Sequence, residues 1–312
     1  MRVLIALGGN AMTGPDGSAT QQAQQNAVEL AMKRVAELVG QGVEVVLTHG
    51  NGPQVGNLLV KNEVAAHVVP PVSLDWCGAQ TQGTIGFLVL NALEQALAER
   101  GLRRRVATVV SRTLVDAADP AFGRPTKPVG RFLPSAEAAR YRDTGQHWVD
   151  FGAKGWRRVV PSPEPIEILD APAARALMDA GYIVVAAGGG GIPVVRDPSS
   201  GVLRGVEAVI DKDLAAAILA PTLAADALVI ATDVDHVMTG YGAPPTTEIG
   251  EIGADALAEL AEAGEFGAGS MGPKVTAAIR FVRCGGRFAV ITSLDRIADA
   301  VSGHFGTIVR AS

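Results

Sequence analysis

Short apolar runs alternate with longer amphipathic stretches along most of the chain. Continuous apolar runs such as 3–7 are typical of buried parallel strands, whereas apolar residues that recur every three or four positions predict helices. The pattern predicts strands over 3–7, 43–47, 106–110, 183–187, 227–231 and 288–291. It predicts helices over 21–39, 54–66, 74–100, 172–180, 214–219, 254–263 and 273–284. This order of elements predicts an α/β fold with helices on both faces of the sheet.

The interval 111–168 interrupts this alternation. It contains seven prolines, which exclude a regular helix or a central strand across it. We therefore predict that the interval is a protruding subdomain or lid. Because the second half restarts near residue 180 with its own strand and glycine loop, we expect one domain, 1–312, with an N-terminal lobe over 1–180 and a C-terminal lobe over 181–312.

The composition is that of a well-buried globular protein, with 48% hydrophobic and 19% charged residues in a chain of 312. A net charge of -5 argues against a nucleic-acid partner or an anionic membrane surface. Two distant cysteines, Cys77 and Cys284, indicate a reducing compartment. The chain starts with a predicted strand and has no apolar run long enough for a bilayer, so we expect a cytoplasmic protein without a membrane partner.

Glycine-rich loops follow three of the predicted strands. Gly8-Gly9 follows the first, Gly50-Asn51-Gly52 the second, and four glycines at 188–191 follow the strand that ends at residue 187. Glycine lets backbone N–H groups approach an anion closely, so each loop is either a tight turn or part of a phosphate cradle. Ligands of open α/β sheets bind at strand ends, and three such loops together favour the cradle.

A lysine stands between two carboxylates, Asp211-Lys212-Asp213, at the start of the predicted helix over 214–219. One interpretation is an ordinary capped helix, because acidic residues are common in a first turn. The other is a phosphoryl-transfer site, where a helix N-terminus and a lysine hold phosphate oxygens and an acid holds the lysine. Lys274 also stands at a helix start, after glycines that lack the preceding strand of a dinucleotide fingerprint. With the glycine loops, these features favour phosphoryl transfer.

Seven motifs occur along nearly the whole chain: ALGGNA at 6–11, THGNGPQVG at 48–56, GRPTKPVG at 123–130, GGGGIPV at 188–194, VIDKD at 209–213, TDVD at 232–235 and GSMGPK at 269–274. In this order they resemble the motifs of the carbamate kinases, in the amino-acid kinase superfamily. The resemblance implies a three-layer α/β/α fold with an open, mostly parallel sheet and a small protruding lid. It also implies a homodimer.

The same resemblance implies reversible phosphoryl transfer between ATP and carbamate, usually run toward ATP from carbamoyl phosphate and ADP. Carbamate or carbamoyl phosphate would bind the N-terminal lobe and ADP or ATP the C-terminal lobe. Mg²⁺ is expected with the nucleotide, but no protein ligand is predicted for it, because this ion usually keeps waters and phosphate ligands.

The resemblance also implies roles for individual residues. Lys212 and Lys274 would bracket the transferring phosphoryl group from the nucleotide side and Lys127 from the carbamate side, while Asp213 would orient the lysines. The acceptor and phosphoryl oxygens would be held by Gly8, Gly9, Asn10, Gly50, Asn51 and Gly52. The nucleotide would be bound by Asp211, Thr232, Asp233, Tyr241, Met271 and Gly272.

Two positions depart from related patterns. Many acid kinases of the superfamily carry a lysine where this chain has Ala6, and in the carbamate branch Lys127 replaces it. Arg131 stands where the family often has proline, which concerns the shape of the lid.

Three other functions are open at this stage. A kinase for another small acid would be separated by substrate screening, and a non-catalytic nucleotide-binding regulator would be expected to lack one of the three lysines. A dehydrogenase would be dismissed if NAD left the thermal stability unchanged. The sequence does not give the physiological direction or the source of carbamoyl phosphate, whether arginine fermentation or another route.

Overall fold

A computed structural model describes residues 1–14, 20–240, 245–267 and 271–312, apart from the side chain of Asn10. The strands are β1 (Arg2–Leu7), β2 (Glu44–His49), β3 (Val106–Thr108), β4 (Arg112–Val115), β5 (Lys127–Leu133), β6 (Trp148–Asp150), β7 (Trp156–Val160), β8 (Pro165–Ile168), β9 (Ile183–Val185), β10 (Ile192–Arg196), β11 (Leu203–Gly205), β12 (Ala227–Thr232), β13 (Val237–Thr239), β14 (Thr247–Ile249), β15 (Glu251–Gly253), β16 (Phe288–Ser293) and β17 (Thr307–Arg310). The α-helices are α1 (Gln21–Gly40), α2 (Gly52–Ala65), α3 (Leu74–Glu99), α4 (Ser135–Arg142), α5 (Ala171–Asp179), α6 (Lys212–Thr222), α7 (Ala254–Glu262), α8 (Met271–Arg283) and α9 (Ile297–Val301). Short 3-10 helices lie at Gly9–Met12, Pro120–Phe122, Gly152–Lys154, Gly188–Gly190 and Leu294–Arg296.

Within these residues, eight strands form a central sheet in the order β15-β17-β16-β12-β1-β2-β9-β3. Neighbouring strands run parallel except β16 and β17, which run antiparallel. Side chains of β1 alternate between the faces: Val3, Ile5 and Leu7 pack in a core that includes residues of α1, and Leu4 and Ala6 pack in a core that includes residues of α6. Helices thus cover both faces, which confirms the predicted three-layer α/β/α class with a mostly parallel sheet.

The predicted strands and helices are all present, and their ends lie within three residues of the predicted ones. The helix predicted over 214–219 shows one of the largest differences, because α6 extends from Lys212 to Thr222. The strands β15 and β17 at one end of the sheet and the short helix α9 were not predicted. These elements are three to five residues long, too short for a clear periodic pattern.

The proline-rich interval contributes to two small sheets. Strands β5, β7 and β6 form an antiparallel sheet, named here the small sheet, which packs with α4 through Leu133, Ala138 and Trp148. Strands β4 and β8 instead join β10 and β11, which lie beyond the interval. The interval as a whole is neither a regular helix nor a central strand, but it does contain the short helix α4. This helix starts directly after Pro134, where a proline costs no backbone hydrogen bond.

The parallel register brings the predicted glycine loops to one edge of the central sheet. Leu7 at the end of β1 pairs with His49 at the end of β2, and the N–H of Gly50 donates to the carbonyl of Leu7 at 2.9 Å. Strand β9, which precedes the four glycines, pairs with β2 on the other side. None of the helices in the described ranges combines the length and apolar character that a bilayer span requires.

Candidate active site

A cavity of about 270 Å³ lies at this edge of the sheet, between the glycine loops, the start of α6, the first turns of α8 and the small sheet. Nine of the predicted site residues line it: Gly9, Gly50, Asn51, Gly52, Lys127, Asp211, Lys212, Asp213 and Lys274. The three lysines and two aspartates give the lining a net charge of +1 when all five are ionised. The cavity therefore favours anions.

Asp211 fixes both the start of α6 and the position of Lys127. As the N-cap residue, it accepts hydrogen bonds through Oδ1 from the backbone N–H groups of Asp213 at 2.9 Å and Leu214 at 3.4 Å. Its Oδ2 accepts a hydrogen bond from Lys127 Nζ at 2.8 Å. The capped-helix interpretation is thus correct for Asp211, but the same carboxylate also holds a lysine of the site.

Asp213 is the buried centre of the charged cluster, with 3% of its side chain exposed. Its Oδ1 accepts a hydrogen bond from Lys212 Nζ, and its Oδ2 accepts one from Lys274 Nζ at 2.9 Å. Burial alone would raise the pKa of the Asp213 carboxyl, but the two ammonium groups outweigh burial and the pKa lies below its usual value. An ionised Asp213 therefore holds both lysines in place.

Lys212 is held in the cavity against an unfavourable environment. Burial lowers the pKa of the Lys212 ammonium, Asp213 opposes this change, and repulsion from Lys274 adds to it. The two cations share one carboxylate. A phosphoryl group that entered between them would supply the negative charge that the cluster lacks.

Lys127 reaches the cavity from the small sheet, where it is the first residue of β5. Its side chain is 33% exposed, compared with 11% for Lys212 and 12% for Lys274. Asp211 is the carboxylate that holds it. The third cation is therefore more accessible to solvent than the other two.

The glycine loops after β1 and β2 form the opposite wall of the cavity. A Cβ built on Gly50 would lie 3.6 Å from Lys212 Cδ, so the loop and the lysine stem are in contact. Asn51 Nδ2 donates to Thr81 Oγ1 at 2.9 Å, and Thr81 donates to the carbonyl of Gly78 at 2.7 Å. These bonds anchor the Asn51 side chain to α3, directly before α2 begins at Gly52.

The four-glycine loop fills the space between the two walls, and Gly189 lines the cavity. Gly189, Gly190 and Gly191 have φ angles of 68°, 87° and 89°, a region that favours glycine. A Cβ on Gly189 would lie 2.1 Å from Asn51 Nδ2, and one on Gly190 would lie 2.6 Å from the carbonyl oxygen of Ile210. The loop therefore needs glycine for its backbone conformation and for its close packing.

His49 lies beside the cavity as a neutral group. It is buried, and its Nδ1 lies 2.9 Å from the carbonyl oxygen of Gly50, so Nδ1 carries the proton. Burial lowers the pKa of His49 to about 4, with a smaller contribution in the same direction from Lys212. The imidazole is uncharged at neutral pH.

Several predicted site residues lie outside the lining of this cavity. Thr232 ends β12 beside the first glycine loop and Asp233 follows it, while Met271 and Gly272 begin α8, in the same turn as Lys274. Gly8 packs against β12, where a Cβ would lie 2.8 Å from the carbonyl oxygen of Ala231. Two predictions are not described by the structure: Tyr241 lies outside the described residues, as does the side chain of Asn10.

Buried polar side chains behind the four-glycine loop were not predicted. Gln82, Ser111 and Thr113 are 3%, 0% and 0% exposed, and each bonds to the backbone of the loop or of the residue before it. The sequence gives no distinct signal for them: Gln82, for example, lies in the stretch QTQGT at 80–84 of the helix predicted over 74–100. Such a position is equally typical of an exposed helix face.

Metal ligands are sparse around the cavity. Among the residues that the structure describes, no group of three or more His, Cys, Asp or Glu side chains could hold a metal ion. Asp211 and Asp213 are the carboxylates of the lining, and both are engaged by lysines. This donor set fits an ion bound mainly through phosphate oxygens and water, as Mg²⁺ is in many kinases.

Known proteins match the chain over its length. The model of the amino acid kinase family matches residues 1–293. A carbamate kinase of Thermococcus kodakarensis is 46% identical over 312 residues, covering 99% of this chain and 98% of that protein, and carbamate kinase 1 of Enterococcus faecium is 44% identical over 311 residues, covering 99% and 98%. The structure of Giardia lamblia carbamate kinase bound to AMP-PNP superposes with a TM-score of 0.93 at 41% identity, covering 100% of this chain and 98% of that one.

These matches confirm the resemblance that the seven motifs indicated, because they extend over nearly the whole chain, including the proline-rich interval. The chain belongs to the amino acid kinase family and, within it, to the carbamate kinases.

Proposed function

We propose that this protein is a carbamate kinase that transfers a phosphoryl group reversibly between ATP and carbamate, run toward ATP from carbamoyl phosphate and ADP. The observation that carries the proposal is the convergence of Lys127, Lys212 and Lys274 on one small cavity. In the direction of ATP synthesis, a terminal phosphate oxygen of ADP attacks the phosphorus of carbamoyl phosphate. The bond between phosphorus and the carbamate oxygen breaks, and carbamate leaves as an anion.

The charges of the cavity suit this reaction. Phosphoryl transfer needs little covalent chemistry from the protein, so positioning and charge neutralisation provide most of the acceleration. We assign Lys212 and Lys274 to the nucleotide side and Lys127 to the carbamate side, with Asp213 holding the first two. Since the leaving carbamate is already an anion, no general acid is needed, which agrees with a neutral His49.

The remaining predicted residues keep their proposed roles. The backbone of Gly9, Gly50 and Gly52 faces the cavity and is suited to bind the acceptor and phosphoryl oxygens. Thr232, Asp233, Met271 and Gly272 lie near the same sheet edge and are proposed for the nucleotide. The proposed division therefore places carbamate in the lobe 1–180, with a lid over 111–168, and ADP in the lobe 181–312.

Magnesium is proposed as the cofactor that accompanies the nucleotide. It would neutralise charge on the phosphate oxygens, and Asp211 and Asp213 are the cavity carboxylates nearest to where those oxygens would bind. Because both carboxylates are paired with lysines, we expect their contribution to be indirect, through water.

The acceptor is proposed to be very small. A kinase for acetylglutamate or aspartate needs a cation for the remote carboxylate, commonly an arginine. In the described part of the chain, the cavity lining contains no arginine: Arg124 is exposed, and Arg131 pairs with Glu63 at 3.4 Å. This observation disfavours a kinase for a larger acid, which is the nearest alternative.

The test of function is a luciferase measurement of ATP after the protein is mixed with ADP, Mg²⁺ and carbamoyl phosphate. We expect rapid ATP synthesis from carbamoyl phosphate and at most slow synthesis from acetyl phosphate. In the reverse assay, which starts from ATP, we expect no ADP release with acetylglutamate, aspartate or glutamate. ADP release with acetylglutamate above the rate with carbamate would contradict the assignment. The Lys212→Ala variant serves as the inactive control for contaminating kinases.

A homodimer in the cytoplasm is the proposed biological form, with arginine breakdown as one source of carbamoyl phosphate. The dimer is supported by large apolar side chains exposed on α2, α3 and the turn between them, including Val64, Val68, Trp76 and Phe87. Light scattering after gel filtration should give twice the mass of the 32.1 kDa chain. A monomer mass at micromolar concentration would remove the dimer from the proposal.

A further inference from the structure

The backbone of segment 187–191 adopts an unusual conformation that needs contacts from other parts of the chain. Ala187 has a φ angle of 50°, a left-handed conformation that is unfavourable for a residue with a side chain. The three glycines that follow Gly188 also have positive φ angles. Such a conformation persists only where the surrounding structure holds it.

Buried side chains from three other segments hold this backbone. Thr48 Oγ1 donates to the carbonyl of Ala187 at 2.9 Å, and Ser111 Oγ accepts from the N–H of Ala187 at 2.9 Å. Thr113 Oγ1 donates to the carbonyl of Gly190 at 2.7 Å. Four polar groups of the segment therefore have side-chain partners, the fourth being the carbonyl of Gly188, which is bound by Gln82.

Gln82 makes the most bonds of this set. Its Nε2 donates to the carbonyls of Gly188 at 2.9 Å and Ser111 at 3.1 Å, and its Oε1 accepts from the N–H of Ser111 at 2.9 Å. A carbonyl can only accept and an N–H can only donate, so the chemistry of these partners fixes the orientation of the carboxamide. Gln82 thus joins the middle of α3 to both the glycine loop and the residue that binds Ala187.

The loop that these side chains hold is in contact with both walls of the active site. Gly189 lies against Asn51 of the glycine loop after β2, and Gly190 lies against Ile210, directly before Asp211. A shift of the loop by about 1 Å would move the cavity wall relative to the lysines, and displacements of this size cost enzymes up to about a hundredfold in rate.

We propose that Gln82 and Ser111 are positioning residues for phosphoryl transfer, which act by fixing the four-glycine loop so that Gly189 keeps its place in the cavity wall. The proposal rests on the proposed kinase function. Neither side chain lines the cavity, so neither contacts the substrate directly.

The sharpest variant is Gln82→Glu, which keeps the shape of the side chain and replaces the donor by an acceptor. At pH 8 an ionised carboxylate would face two carbonyl oxygens, so we expect kcat to fall at least tenfold while the Kd of ADP stays within twofold. As the pH falls toward 6, protonation of the introduced carboxyl restores one donor, and the ratio of variant to parent kcat should rise. Gln80→Glu, an exposed position on the same helix, is the matched control and should change neither value.

Hydrogen exchange of the backbone amides over 187–191 gives a second readout, independent of turnover. We expect faster exchange in Gln82→Glu and in Ser111→Ala and parental exchange in Gln80→Glu. If Gln82→Glu does not fold, Gln82→Met and Ser111→Ala carry the test with the same two measurements. The proposal would be overturned if the variants kept both the kcat and the amide exchange rates of the parent. It would also be overturned if their loss of kcat equalled the fraction of unfolded protein. An inactive parent would contradict the kinase function, and the exchange data would still test the positioning.

Discussion

Lys212 and Lys274 share one buried carboxylate on the C-terminal side of the cavity, whereas Lys127 extends from the small sheet and is held by a helix-capping aspartate. The first pair is about one-tenth exposed and the third lysine one-third exposed. Burial strengthens electrostatic interactions but costs desolvation energy, which the shared Asp213 offsets. The side proposed for the nucleotide is therefore organised before substrate binds, while the lysine proposed for the carbamate side is more open to solvent. Variants of the two sides should fail in different ways.

The largest effect is expected for Lys212→Ala. Removal of a transition-state charge contact of this kind costs roughly 3 to 4 kcal/mol, or two to three decades in kcat. The fold should persist, because the variant also removes a desolvated cation and leaves Asp213 paired with Lys274. The measurement is kcat for ATP synthesis together with a thermal unfolding curve.

Lys33→Ala, at an exposed position on α1, is the control and should behave like the parent. A folded Lys212→Ala variant whose turnover stays within tenfold of the parent would remove Lys212 from catalysis.

A smaller and more selective effect is expected for Lys127→Ala. We expect kcat to fall by roughly one to two decades, because the transferring group loses a cation on the carbamate side. The Kd of ADP, measured by calorimetry, should change little, since the proposed mechanism places the nucleotide on the other side of the cavity. Lys154→Ala, exposed in the same interval, is the matched control. Equal losses of ADP affinity and turnover would show that the two sides are not separate.

The sequence predicted one side of this comparison more completely than the other. Asp211, Lys212 and Asp213 are adjacent in the chain, and a helix start makes their convergence a local property. The pairing of Lys127 with Asp211 joins residues 84 positions apart, and only the family resemblance indicated that both belong to one site.

Contacts that depend on tertiary structure alone were not predicted. Gln82 forms a hydrogen bond with Gly188, which lies 106 positions away in the sequence. No periodic pattern of α3 distinguishes this glutamine from an exposed one. The same holds for β4, which pairs with β10 outside the proline-rich interval. The central strands were predictable because burial on both faces leaves a continuous apolar run in the sequence.

The smallest effect is expected for the pH dependence of stability. It concerns His49, which is neutral, unlike the charged cluster beside it. The pKa of His49 falls from its ordinary value of 6.5 to about 4 on folding, because the imidazole is buried. Between these two pH values the unfolded chain binds a proton that the folded protein does not, so stability falls as the pH falls through this window. From pH 7 to pH 5 the loss of unfolding free energy assigned to His49 is about 2 kcal/mol.

Denaturant unfolding of the parent and of His49→Asn at both pH values measures this loss. The parent should lose about 2 kcal/mol more than the variant. Equal losses in both proteins would mean that folding does not lower the pKa of His49, which would contradict the buried, neutral imidazole described above.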